Sequence, residues 1–210
     1  MIIVKNKKPT SRPRGRPRAF DREEVLGKAA ETFWRLGYEG ASIADLTAAM
    51  GITPQSLYAA FASKAELYRE ALAWYQARIG AATARAMEEE IDVAAALARV
   101  LRESAREFTK PGRPHGCMVS TAVLTCAVEN EPIARHVSGL RDRTLDAIKA
   151  RIERGVAEGQ LRPETDAEAL ARFIGAMIQG MSVQAQDGAC CAALLGLVEH
   201  AIAEIERQRV

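Results

Sequence analysis

The residues best equipped for chemistry are few. His115, Cys117, Met118, Cys126 and His136 bring imidazole, thiol and thioether groups into one stretch of a 210-residue chain. Together they could offer soft and borderline metal ligands. Their spacings match no standard zinc pattern, so no metal and no cofactor is expected. Cys117 follows the Pro/Gly-rich loop "KPGRPHG" (Lys110–Gly116) and opens "CMVSTAVLTCAVE" (Cys117–Glu129), which reads as a buried helix. A thiol at a helix start meets the positive end of the dipole, which favours the thiolate that reacts with oxidants and electrophiles. The plainer reading is that Cys117 and Cys126 pack in the core. Enzymatic catalysis finds no footing: there is no G-x-S-x-G, G-x-G-x-x-G or Walker A pattern. His115, His136 and His200 lack a nucleophile and a carboxylate at informative spacing. No enzyme is expected.

A second kind of chemistry is electrostatic. The run "RPRGRPRAF" (Arg12–Phe20) belongs to a segment, residues 1–20, with seven basic residues and no acid. The other 190 residues hold 22 basic and 27 acidic groups. A basic arm on a mildly acidic body suggests a local polyanion-binding element. The charged, Pro-rich N-terminus has no apolar core of a signal peptide, and the longest uncharged runs are too short to span a membrane. With no C-x-x-C and with Cys190 and Cys191 adjacent, reduced thiols and a cytoplasmic, membrane-free protein are expected.

The elements that would position these groups read as helices throughout. Asp21 caps a first helix with Glu24 as its capping-box partner and Val25, Ala29, Phe33 and Leu36 as its stripe; Gly37 stops it. Ser42 caps a short second helix that ends at Gly51. Thr53, with Pro54 at the first position, caps a third. Ser63, with Glu66, caps a fourth that runs past Trp74 toward Met87. Asp92 opens a helix with Val93, Leu97, Val100, Ser104 and Phe108 on one face. After Cys117–Glu129 comes a long helix carrying Ile133, Val137, Leu140, Ile148, Ile152 and Val156. Two last helices cover about 165–186 and 189–207. The expectation is an all-α protein of about nine helices.

"SIADLTAAMGITPQSLYAAF" (Ser42–Phe61) is the most specific signal. Two short capped helices flank a tight turn at Gly51, the geometry of a helix-turn-helix. Thr47 keeps the crossing close. Ile43, Leu46, Ile52, Leu57 and Phe61 face inward. Thr53, Gln55, Ser56, Tyr58 and Ala59 stay outward, a short or polar face that suits a major groove.

Phe20–Leu72 resembles the TetR family of bacterial repressors. The resemblance rests on "G-Y-x-G-x-S-I" at Gly37–Ile43, "M-G-I" at Met50–Ile52 and "L-Y-x-x-F-x-S-K-x-x-L" at Leu57–Leu67. It implies an N-terminal three-helix helix-turn-helix domain (21–66) behind the flexible arm (1–20), then a helical ligand-binding and dimerisation domain (67–210). It implies a homodimer on a palindromic operator in double-stranded DNA, released by a small-molecule effector. By position, Ser42 and Lys64 would meet phosphates, and Tyr58 a phosphate or a base. Alanines at 59 and 60, where such proteins often carry an aromatic or His, move base contacts elsewhere. "R-G-R-P" (Arg14–Pro17) is also similar to the AT-hook: Arg14 and Arg16 would enter a minor groove, with Arg18 among the phosphate contacts.

Residues 167–203 carry only Glu168, Arg172, Asp187 and Glu199 as charges. Two helices this apolar suit a two-fold four-helix interface. Candidate pocket residues are Trp74, Phe108, Cys117, Met118, Thr121, Thr125, Phe173, Met177 and Gln179. A thiol- or metal-responsive regulator acting through Cys117, and an architectural DNA-binding protein, are the alternatives.

Overall fold

The computed structural model describes residues 20–210. Arg14, Arg16 and Arg18 lie outside them. Among the described residues there are nine α-helices and no sheet; the β-type pairing is one isolated bridge, Leu161 to Arg209. The helices are α1 (Arg22–Gly40), α2 (Ile43–Met50), α3 (Pro54–Phe61), α4 (Lys64–Arg78), α5 (Ala81–Glu89), α6 (Val93–Phe108), α7 (Glu131–Ala157), α8 (Ala167–Gln186) and α9 (Cys191–Glu206).

Their starts follow the caps. Asp21 Oδ1 accepts from the amides of Glu23 (2.9 Å) and Glu24 (3.3 Å). Ser42, Thr53, Ser63, Asp92 and Asp166 each accept from the third helical amide. The reciprocal half of the capping box forms at Ser42–Asp45. Glu24 turns instead to Lys28 (2.6 Å) and Glu66 to Arg69. An opposite charge one helical turn away competes for the same carboxylate. Gly37 breaks α1 at φ 73°, and Leu36 just before it points outward, 44% exposed, rather than closing the apolar stripe.

Two expectations give way. The fourth helix does not reach Met87. The amides of Ile79 and Gly80 both donate to the Tyr75 carbonyl (2.8 and 3.0 Å), which closes α4, and α5 starts afresh at Ala81. Nor is Cys117–Glu129 a helix: it is a run of turns ending in a short 3-10 turn, Val128–Asn130. The stretch is rich in β-branched residues, which form helix poorly. Its backbone is also claimed by neighbours. The Cys117 amide donates to Ser182 Oγ (2.8 Å), and the carbonyls of Val119 (3.2 Å) and Ala122 (2.9 Å) accept from Arg141 Nη1. Carbonyls held by a guanidinium are not free to continue an i to i+4 ladder. Splitting one expected helix and losing another leaves the count at nine.

The apolar interior falls into two clusters. One joins α1–α4 to the loop residues Met118 and Val119 and to the first turns of α7, through Ile133, Val137 and Leu140. Aromatic contacts tie α1 to α4: Phe33 meets Tyr68 edge-on at 4.8 Å and Trp34 meets Tyr75 at 5.0 Å between centroids. Such pairs add about 0.5–1.5 kcal/mol beyond their buried area. The other cluster centres on α6, which packs against α5, α8 and α9. Where α7 passes α6, Gly155 leaves room for Val93: a Cβ there would stand 2.7 Å from Val93 Cγ1.

Candidate nucleic-acid interface and ligand cavity

The first face is built by α2 and α3. Gly51 sits in the left-handed region (φ 69°), and its amide and that of Ile52 bond back to Ala48 and Thr47. Thr47 is buried, with its hydroxyl turned onto the Ile43 carbonyl (2.8 Å). Leu46, Leu57 and Phe61 are buried, and Ile43 and Ile52 are half-buried against the same cluster. Thr53, Gln55, Tyr58 and Ala59 are exposed and Ser56 is partly so, as their spacing requires. Tyr58 is 49% exposed, unusual for a phenol with an apolar ring.

Several polar groups on this face already have local duties. Ser42 Oγ accepts from the Asp45 amide (3.1 Å) and donates to the Asp45 carboxylate (2.5 Å). The Ser42 hydroxyl, and then the Ser42 amide that donates to the same carboxylate (2.9 Å), hold the Asp45 carboxyl below its usual range. The hydroxyls of Thr53 and Ser56 share a hydrogen bond of 2.9 Å. Gln55 and Tyr58 are the larger outward side chains on α3. Lys64, at the first turn of α4, lies over the Tyr38 ring with its ammonium 4.7 Å from the centroid. Burial pushes the Lys64 pKa down, and the nearby Glu39 partly opposes this.

Glu39 was not singled out by its sequence context. One carboxylate oxygen accepts from the Ala127 amide and from Asn130 Nδ2, both at 2.8 Å. These bonds, the Ala127 amide first, hold the Glu39 pKa below the ordinary carboxylate range. They fasten the end of α1 to the loop 109–130. No local pattern announces a contact across some ninety positions.

The second candidate site is a cavity of about 640 Å³ between α4, α5, α6, α7 and α8. The break after Arg78 creates one wall, since residues 79–84 line it. Phe108, Cys117 and Gln179 line the cavity. Cys117 also faces a second recess, beside Met118 and Thr121. Trp74 lies against Gly27, where a Cβ would stand 3.1 Å from its ring, and lines neither space. Thr125, Phe173 and Met177 line neither. Tyr75, Arg141 and Arg151 line the cavity and were missed. The helical positions of Arg141 and Arg151 were visible, but basic positions on a long helix read as solvated.

Cys117 does not stand at a helix N-terminus, so the dipole that would favour its thiolate is missing. Its sulfur accepts from the Val119 amide at 3.4 Å. Burial, and then the neighbouring Cys117, push the Tyr75 hydroxyl far above its ordinary pKa. Among the described residues no three His, Cys, Asp or Glu side chains are grouped as a metal site requires. No described helix is long and apolar enough to cross a membrane.

Comparison with known proteins follows the same division. Residues 25–71 match the model for bacterial regulatory proteins of the tetR family, and residues 93–189 that for the tetracyclin repressor-like C-terminal domain. The HTH-type transcriptional repressor ComR of Escherichia coli is 37% identical over 84% of this chain and 84% of its own. The HTH-type transcriptional repressor BdcR of the same organism is 31% identical over 86% of this chain and 87% of its own. Among solved structures, a cysteine-substituted form of the transcriptional regulator CifR, complexed with a 26-base-pair double-strand operator DNA, is 42% identical. It covers 90% of this chain and 98% of its own, with a TM-score of 0.87.

Proposed function

The chain belongs to the TetR family of bacterial transcriptional regulators, and from that premise we propose that it is a repressor released from its operator by a small molecule. The observation that carries the reading is the outward face of α3, with Gln55 and the half-exposed Tyr58 on a helix positioned by two capped turns. In this reading residues 21–66 form the reading head and 67–210 the ligand-binding and dimerisation part. Thr53, Gln55, Ser56 and Tyr58 meet base edges and backbone, while Ser42 and Lys64 meet phosphates. Arg14 and Arg16 extend the contact into the flanking minor groove, and Arg18 adds a phosphate contact. The effector occupies the cavity beside Phe108 and Cys117. α8 and α9 pair with a second copy, so that two heads address a palindromic site.

Fluorescence anisotropy with duplexes from the chain's own upstream region tests the reading. Binding should prefer that region over random duplex and weaken as salt rises. Equal affinity for both would end the regulator reading. A panel of metabolites and electrophiles added to the complex tests the effector: at least one should release operator, and none doing so would end that part. Deleting residues 1–18 should cost affinity and remove any preference for A·T flanks; a loss that is uniform across flanks makes the arm a charge tail only.

One observation favours a second reading, thiol sensing. Cys117 stands where the cavity and the second recess meet. If operator release by oxidants or electrophiles is unchanged in Cys117→Ser, the thiol has no sensing part.

A further inference from the structure

The wall of the 640 Å³ cavity is apolar in part, through Met87, Phe108, Leu140 and Ile178, and unevenly charged elsewhere. Glu103 and Glu107 are spoken for by arginines outside the wall: Glu103 by Arg99 at 2.8 Å, Glu107 by Arg113. Four arginines of α7 line the same space: Arg141, Arg143, Arg151 and Arg154. Among the described residues only Arg154 has a carboxylate within ion-pair distance, Glu158 at 3.8 Å. Arg141 spends Nη1 on the carbonyls of Val119 and Ala122. Glu88 is the one acid of the wall without an ion pair among the described residues, against three such arginines.

Arg151 is the most telling of the four. It is 4% exposed, and its Nη2 donates to the carbonyls of Glu90 (3.2 Å) and Ile91 (2.6 Å). Its Nε and Nη1 are buried with no hydrogen-bond partner among the described residues. A buried guanidinium with open donors and no carboxylate in ion-pair contact is costly, even with Glu158 and Asp92 in its field, and the same low dielectric makes an anion beside it strongly favoured. Phosphates and other dianions suit clusters of exposed cations better than a largely apolar wall; a single negative charge on an apolar body matches both halves of this one.

We propose that the cavity binds a small monocarboxylate with an apolar body, its carboxylate drawn to Arg151 and its tail against Phe108, Leu140 and Ile178. Arg143 and Arg154, exposed at the cavity edge, draw the acid in. The proposal rests on the reading of this cavity as the effector site and names the chemical class of the effector.

The test uses the full chain with octanoate, decanoate and phenylbutyrate, each beside its matched alcohol and matched amine. Thermal melting reads binding, since a ligand of the native state raises Tm by mass action. Anisotropy on the upstream duplex reads release. The acids should bind about tenfold tighter than the alcohols, the size of one charge-assisted contact. The amines should bind more weakly still, and Arg151→Gln should bring the acids down to the level of the alcohols. Should Arg151→Gln fail to fold, the acid-to-alcohol ratio on the native chain still decides. The double change Arg143→Gln with Arg154→Gln, at the exposed edge, should then weaken the acids alone. Equal binding of acid and alcohol, or no shift from any acid, overturns the proposal. Acids that bind as expected yet leave operator affinity unchanged uphold the anion site and remove the effector reading instead.

Discussion

At the scale of single residues, the chemistry on the reading head is divided between groups that hold the fold and groups left over. Ser42, Thr53 and Ser56 hydroxyls serve caps, whereas the side chains of Gln55 and Tyr58 make no hydrogen bond among the described residues. Gln55→Ala and Tyr58→Phe should therefore each lower operator affinity by about tenfold, the order of one base or phosphate contact. Tm should stay unchanged, and a fall in Tm that tracked the fall in affinity would move Tyr58 into the structural set. Glu39 behaves in the opposite way. Its carboxylate is held below the ordinary range by the Ala127 amide and by Asn130. A depressed acid stabilises the fold above its unfolded pKa, about 4.3, and that stabilisation fades as pH falls through the lower folded value. Glu39→Gln should thus melt below the parent chain at neutral pH, with the gap narrowing under about pH 4. A gap that stayed constant through the acid range would remove the charge from the account. Residues of this kind divide sharply in legibility. The caps and the outward α3 face follow from residue type and spacing nearby. Glu39 and Arg151 take their meaning from partners that only the folded chain brings near.

Among the elements, the helices that read best are those with a cap and an uninterrupted stripe, such as α6 and α7. The stretch 117–129 failed for two reasons, one visible in its β-branched composition and one not: Arg141 and Ser182 claim backbone groups that a helix would need. The boundary after Arg78 was masked by good helix formers on both sides of Ile79–Gly80, so periodicity alone ran through it. Since that break opens the cavity, missing it also hid the wall that residues 79–84 supply. Packing between elements makes a sharper expectation. Gly155 faces the stiff, branched Val93, with Cβ–Cβ space of only 2.9 Å. Gly155→Ala should cost about 1–3 kcal/mol through overpacking, in spite of alanine's better helix propensity. Denaturant melts would read it, and an unchanged or higher midpoint would mean that α6 and α7 separate easily.

For the whole molecule, the proposed pairing with a second copy turns on α8 and α9. Their outward sides carry Ala176, Gly180, Ala192, Ala193, Gly196 and Ala203, and Val183 is 45% exposed. Small apolar residues in register let two helices approach closely, as a symmetric pairing requires. Outside its own helix turn, a Cβ at Gly180 or Gly196 would meet nothing within 4 Å among the described residues. Gly180→Arg or Gly196→Arg should therefore leave the monomer fold intact while halving the mass seen by sedimentation and weakening operator binding. A dimer that survived both changes would place the interface elsewhere. The apolar cluster around the reading head has a different reach. It continues through Leu67, Tyr68, Leu72 and Tyr75 of α4 into Met118, Ile133, Val137 and Leu140. Anyone building a chimaera to retarget this regulator inherits that fact. A transplant cut where the helix-turn-helix ends would leave half an interior behind, so the portable unit is a head carried together with its supporting helix and matched to the first turns of the long one.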